Sequence, residues 1–201
     1  MPLQVAKPPL AARKAVLSML GRMVAMDADH VAALRAASPG SVAISTPHRL
    51  AVLGLDRIRA GMSLRSAAHK KGWRFLVHNG SKVVATANSS VSAGGKHAFA
   101  HITDGPFVAG TEQAIRRAES LPVVKKGRFE PIWLQVPAIN VVALWLKNLD
   151  KGADLIMPVR PAPKELRPYQ PLAATAFVTV ATELASRVMR DYAEAHPQGQ
   201  R

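Results

Sequence analysis

Residues 139–148 constrain the fold more than any other part of the chain. Their sequence, INVVALWLKN, is apolar at nearly every position as far as Leu146. A strand that is apolar on both faces has to be covered on both faces, which places it in the interior of a sheet. A second strand-forming run, FEPIWLQV, ends just before it, and Pro137-Ala138 forms the turn between them. Two strands joined so closely pair antiparallel, because a parallel connection needs a dozen or more residues.

The strongest turn signal in the chain is Asn79-Gly80. Both residues accept the positive φ of a two-residue type I′ turn, and strand-forming residues flank them on both sides. Such a turn pairs His78 with Ser81 and, in the same register, Phe75 with Val84. Period-two alternation then predicts a buried aromatic face made of Trp73, Phe75 and Val77. The opposite face is predicted to be at least partly wet, and it carries Arg74, Leu76 and His78.

Further strands and helices follow from the same patterns. A third strand near residues 97–102 places His97, Phe99 and His101 on one face, and DLIMPV at 154–159 is another strand. Apolar residues at helical spacing, together with capping residues, predict helices at 11–26, 30–37, 48–60, 112–121 and 172–195. Ser45-Thr46-Pro47 is the capping signal for the helix at 48–60.

This order of elements predicts an α+β protein. We expect an antiparallel sheet of about five to six strands, with helices packed on one face and an N-terminal helical arm. The arm is assigned to residues 1–40, a single α+β domain to 41–195 and a flexible tail to 196–201. The arm docks on its own domain or on another subunit. Because residues 1–26 contain no acid, a transit segment is the alternative to an ordinary first helix.

Composition excludes several kinds of site. The 201 residues include no cysteine, which excludes disulfides, thiolate nucleophiles and zinc sites built on cysteine. A cysteine-free chain is compatible with a reducing compartment, and we expect a cytoplasmic location. No apolar run approaches the roughly 20 residues that span a bilayer, so no membrane span is expected.

Charge points to an anionic partner. The formal net charge is +14, from 27 Lys and Arg against 13 Asp and Glu, and such an excess attracts polyanions. The longest acid-free window lies between Asp56 and Asp104. Within it, the cations predicted to contact a nucleic-acid backbone are Arg57, Arg59, Arg65, Lys70, Lys71, Arg74 and Lys82.

Motifs for catalysis are absent from the sequence. There is no Gly-x-Ser-x-Gly, no Ser-x-x-Lys and no Gly-x-Gly-x-x-Gly. His97 and His101 lie about 13 Å apart on a strand, too far to share a zinc ion. No metal and no cofactor is therefore expected. The candidate catalytic side chains are His101, Asp104 and His78, of which Asp104 sits in a Gly-Pro turn near His101.

These observations favour a non-catalytic binding or accessory module that acts through a partner protein or an assembly. A protein partner or self-association is expected, and a polyanion such as nucleic acid is the other class of partner. Two alternatives stay open. The first is a basic protein that binds nucleic acid without sequence specificity. The second is a small enzyme with an unrecognised site near His101 and Asp104.

Overall fold

An eight-stranded mixed sheet forms the centre of the part of the chain that the structure describes. The structure is a computed structural model, and it describes residues 3–26, 32–35, 37 and 40–196. The strands are β1 (Val42–Val52), β2 (His69–Asn79), β3 (Lys82–Val91), β4 (His97–Thr103), β5 (Phe129–Val136), β6 (Val141–Asn148), β7 (Leu155–Pro158) and β8 (Leu172–Ala173). Their order is β4-β3-β2-β1-β5-β6-β7-β8. All neighbours pair antiparallel except β1 and β5, which are parallel.

Five α-helices accompany the sheet within the described residues. They are α1 (Leu10–Ala25), α2 (Leu64–Ala67), α3 (Pro106–Ser120), α4 (Pro122–Lys126) and α5 (Ala174–Ala195). Short 3₁₀ helices lie at Ala32–Leu34, Leu55–Arg57 and Pro137–Ile139. None of the described helices combines the length and the apolar character that crossing a membrane requires.

The α+β class and the mostly antiparallel sheet are confirmed, but the predicted number of strands is too low. The two extra strands are β1 and β8. β1 occupies part of the segment that was predicted to be a helix at 48–60. Ser45-Thr46-Pro47 resembles a helix cap, yet it lies inside this strand. β1 lies in the middle of the sheet, where its backbone hydrogen-bonds with β2 on one side and with β5 on the other. This pairing with two strands outweighs the local preference for a helix.

A bulge in β1 hides its alternation. Ser45 pairs with Leu76 and His48 pairs with Arg74, so two residues of β1 lie opposite one residue of β2. Thr46 adopts a positive φ of 45° at this point. Ser45 and His48 therefore share a face although they are three residues apart.

Helices cover both faces of the sheet. Alternate residues of β6 enter two different cores: Val141, Ala143 and Trp145 pack with α5, whereas Leu144 and Leu146 pack with α3 and α4. The prediction of helices on one face is therefore wrong, while the prediction that residues 139–148 are buried on both faces is confirmed.

The N-terminal helix α1 packs on the same face as α5. Its buried Val16 contacts the cluster that contains Trp73, Phe75 and Val77, as the predicted aromatic core requires. Trp73 pairs with Arg49, and Arg49 pairs with Ile132 of the α5 core, so the two clusters lie on one side. The structure thus docks α1 on its own sheet. Residues 1–2, 27–31, 36 and 38–39 of the predicted arm and 197–201 of the predicted tail lie outside the described residues.

The hairpin of β2 and β3 turns one residue later than predicted. Asn79 pairs with Lys82 around Gly80-Ser81, and Gly80 takes the positive φ, at 59°. A further irregularity between Val77 and His78 sets Phe75 opposite Ala87 instead of Val84.

Candidate functional site

A row of polar side chains crosses four neighbouring strands on the face that α3 covers. His48 of β1 pairs with Arg74 of β2, Arg74 pairs with Asn88 of β3, and Asn88 pairs with His101 of β4. Directly opposed residues of a sheet project to the same side, with Cβ atoms about 5 Å apart. The register therefore lines up four polar side chains across the sheet. We call these four residues, with Trp133 of β5, the polar row.

The inner part of the polar row is buried. His48, Arg74, Asn88 and Trp133 are at most 2% exposed. Trp133 belongs to the core that α3 and α4 complete, and α3 also contacts β3. His101 lies on the edge strand β4 and is exposed. The row thus runs from the protein interior to solvent at its β4 end.

Arg74 is a buried cation with an aromatic contact and no acidic partner. Its Cζ lies 4.5 Å from the centroid of the Trp133 ring. No carboxylate in the described part of the chain forms an ion pair with it, and its Nε has no hydrogen-bond partner there. Burial lowers the pKa of Arg74 to about 10, which still leaves the guanidinium charged at neutral pH. An unpaired buried charge is strongly unfavourable.

His48 is a buried neutral imidazole. Burial and then the charge of Arg74 lower the pKa of His48 to about 3. Neither ring nitrogen has a hydrogen-bond partner among the described residues. A neutral imidazole carries one N–H donor and one acceptor nitrogen, so His48 offers one of each.

Asn88 links the buried part of the row to its exposed end. Its Nδ2 lies 2.9 Å from Nε2 of His101. Because an amide nitrogen donates, Nε2 of His101 accepts and the proton of this ring sits on Nδ1. Burial and then the charge of Arg74 lower the pKa of His101, which agrees with a neutral ring. The Oδ1 of Asn88 has no partner in the described part of the chain.

The polar row therefore presents unused hydrogen-bonding groups of both kinds. The donors are Nε of Arg74, Nε1 of Trp133 and one nitrogen of His48; the acceptors are Oδ1 of Asn88 and the other nitrogen of His48. Buried polar groups in folded proteins are nearly always paired with protein, water or a ligand. A charged guanidinium amid neutral groups is the chemistry of a site for an anionic group.

The three candidate catalytic residues from the sequence do not come together as a set. His101 belongs to the polar row. Asp104 is exposed in the turn between β4 and α3 and provides no cap to that helix. His78 hydrogen-bonds Ser45 of β1, four residues along β2 from Arg74. The bulge in β4 also separates His101 from Phe99, which packs on the α1 side, so their predicted common face is wrong.

The seven predicted nucleic-acid contacts are dispersed. Arg74 is buried and His78 is half-buried, so the prediction of an at least partly wet face fails at Arg74, where the core completed by α3 covers it. Arg65 donates from Nε to Asp154 at 2.9 Å. Lys70 is the second residue of β2, whereas Lys82 pairs with Asn79 at the other end of this strand. At a rise near 3.3 Å per residue, the two ends lie about 30 Å apart. The remaining cations, Arg57, Arg59 and Lys71, are exposed.

Sequence reasoning missed three members of the polar row. His48 was assigned to a helix, and Asn88 was not singled out, although it lies in β3, which continues to Val91. Trp133 was recognised as a strand residue but not as a neighbour of Arg74. The predicted register places Asn88 on the side of Phe75, and the irregularity between Val77 and His78 moves it to the side of Arg74, so no signal in the sequence brings these two residues together.

A second buried polar cluster is saturated. Asp154 accepts hydrogen bonds from Nε and Nη2 of Arg65, from Nε1 of Trp145 at 3.0 Å and from the amide of Asn148 at 2.8 Å. Burial alone would raise the pKa of Asp154, but these hydrogen bonds outweigh burial and lower it. An open cavity of about 480 Å³ adjoins this cluster. Both carboxylate oxygens of Asp154 therefore already accept hydrogen bonds. The cluster links α2 to the turn between β6 and β7.

Other kinds of site find no support in the described residues. No group of three or more His, Asp or Glu side chains among them could hold a metal ion. Comparison of the chain with protein-family models, curated proteins and solved structures finds no match.

Proposed function

We propose that the protein is a non-catalytic binding module whose ligand carries an anionic group, held at Arg74. The observation that carries this proposal is the burial of Arg74, a residue that is 2% exposed and has no acidic partner in the described part of the chain. A carboxylate or similar anion would supply the missing partner. Hydrogen bonds between charged groups are shorter and about twice as strong as neutral ones.

The surroundings of Arg74 strengthen such an interaction. Coulombic attraction grows as the effective dielectric falls, and the neighbouring residues His48, Asn88 and Trp133 are buried as well. The net charge of +14 raises the local concentration of anions around the whole molecule. The exposed His101 marks the end of the row through which a ligand would gain access.

The chemistry of the row favours binding over catalysis. A general base works best when its pKa lies near the operating pH, and the pKa of His48 is about 3. Arg74, Asn88 and Trp133 provide charge and hydrogen bonds but no nucleophile. A role as an enzyme would place the reacting group on the exposed His101, at the rim of the row.

The test is a calorimetric titration of the full chain with acetate, sulfate and phosphate at pH 7 and low salt. We expect at least one of these anions to bind, and Arg74→Gln to weaken binding tenfold or more. Arg59→Gln is the matched control, because it makes the same charge change at an exposed arginine. Loss of affinity in both variants to the same extent, or in neither, would reject Arg74 as the site.

The polyanion alternative predicts the opposite pattern in the same variants. A single-stranded oligonucleotide that contacts the exposed cations would lose affinity with Arg59→Gln or Lys70→Gln and keep it with Arg74→Gln. Its affinity would also fall steeply with salt, because phosphate contacts release counterions. A protein partner, self-association and a cytoplasmic location stay predictions of the sequence.

A further inference from the structure

We infer that the ligand of the polar row is a monocarboxylate with an uncharged hydrogen-bond donor, a hydroxyl or an amide N–H, on the carbon next to the carboxylate. This inference rests on the proposed function, because it describes what Arg74 and its neighbours would hold. The inference is drawn from the number of charges in the polar row and from the positions of its unpaired hydrogen-bond donors and acceptors.

The row contains one charge to neutralise. Arg74 is the single cationic side chain of the polar row, and the two histidines beside it are neutral. One carboxylate balances one guanidinium. A phosphate dianion would leave a net negative charge in a site whose inner residues are at most 2% exposed, and an unbalanced buried charge is strongly unfavourable.

The unused donors and acceptors are separated along the row. The guanidinium of Arg74 reaches across β1 to the Trp133 ring, so the free donors Nε of Arg74 and Nε1 of Trp133 belong to the β2–β5 end. The free acceptor Oδ1 of Asn88 lies on β3, on the other side of β2. A carboxylate satisfies the donors, and a neighbouring hydroxyl or amide N–H is what Asn88 Oδ1 requires.

His48 belongs to the β2–β5 end, because β1 lies between these two strands. It lies on β1, next to Arg74 in the register, and offers one donor and one acceptor from a neutral ring. Its N–H can therefore donate to the carboxylate of the ligand without adding charge. The row as a whole matches a small hydroxy acid or an N-acyl amino acid better than a bare anion.

Lactate and propionate test this inference, since they differ by the hydroxyl alone. We expect calorimetry on the full chain to show lactate binding about tenfold tighter than propionate, the value of one satisfied hydrogen bond. Inorganic phosphate should bind more weakly than lactate. In Asn88→Leu the advantage of lactate should vanish, so that lactate and propionate bind with equal affinity.

A ligand-side comparison covers the case in which Asn88→Leu does not fold. The methyl ether of lactate, 2-methoxypropionate, keeps the oxygen and loses the donor, and it should bind the wild type about tenfold more weakly than lactate. Equal binding of lactate and propionate, equal binding of the methyl ether, or tighter binding of phosphate would each overturn the inference. If one of these anions still binds and depends on Arg74, the proposed function survives; if none binds, both fail.

Discussion

The guanidinium of Arg74 on β2 stacks on the indole ring of Trp133 on β5, across the intervening strand β1, with Cζ 4.5 Å from the ring centroid. A cation over an indole face is attracted by the ring quadrupole, by about 2 kcal/mol or more when both are desolvated. This contact holds the cation in place but gives its N–H groups no acceptor. The fold therefore positions a charge without neutralising it, which is the property that a preformed anion site needs.

Replacing Arg74 by methionine should leave the free protein as stable as the wild type or stabilise it by up to about 2 kcal/mol, because it removes a buried cation and keeps an apolar stem of similar length. Urea unfolding in a buffer free of carboxylates and phosphate measures this free energy. Arg65→Met is the control, and it should destabilise by roughly 1–3 kcal/mol, since it strips the Asp154 carboxylate, 6% exposed, of its cation. Equal destabilisation by both substitutions would mean that Arg74 serves the fold and not a ligand.

The buried His48 should make the protein less stable in mild acid. Its pKa is lowered from 6.5 to about 3 in the folded protein. Between these values the unfolded chain binds a proton that the folded protein does not, so the free energy of unfolding falls as the pH falls. One such group contributes a slope of up to about 1.4 kcal/mol per pH unit.

The measurement is urea unfolding of the wild type and His48→Gln between pH 7.5 and 4.5. The glutamine variant should show a shallower loss of stability over this interval. An NMR titration of the wild-type histidine rings is the companion experiment, and the signal absent from the variant should not shift above pH 4.5. Parallel stability profiles, or a His48 signal that titrates near 6.5, would show that this imidazole is in contact with water.

Glycine at position 46 should stabilise β1. Thr46 has a φ of 45°, which a β-branched residue rarely adopts and glycine adopts freely. We expect Thr46→Gly to raise the free energy of unfolding by about 1 kcal/mol. Ala43→Gly, at an exposed and regular position of the same strand, is the control and should lower it by about 0.5–1 kcal/mol. If both variants lose stability, Thr46 stabilises the fold through its hydroxyl, which lies 3.2 Å from Oγ of Ser45.

The parts of the fold that could be predicted from the sequence are those in which periodicity is unbroken. The predicted strand at 129–136 coincides with β5, and the apolar run at 139–148 contains β6. The helices predicted at 11–26 and 172–195 differ from α1 and α5 by one or two residues at their ends. In each case a long amphipathic or continuously apolar pattern specifies both the type of element and its buried side.

The candidate site could not be predicted because it depends on irregularities. The bulge at Thr46 turns His48 to the face of Arg74, and no spacing rule for a regular strand or helix places them together. The pairing of β1 with β5, distant in sequence, brings Trp133 to the same face. Arg74 and His101 were both singled out from the sequence, yet Arg74 was expected to be wet, since alternation reveals which residues share a face and not which face a later helix covers.

Two helical glycines should respond to alanine in opposite directions. At Gly110 of α3, a Cβ atom would lie 2.6 Å from Cγ1 of the buried Val159 and 3.2 Å from Oη of Tyr169, so α3 would have to move away from these two residues. We expect Gly110→Ala to destabilise by roughly 1–3 kcal/mol. Gly21→Ala in α1 meets no atom within 4 Å and should stabilise by about 0.5–1 kcal/mol through helix propensity. Thermal unfolding of both variants checks this, and a gain of stability in Gly110→Ala would show that α3 sits farther from Val159 than the structure places it.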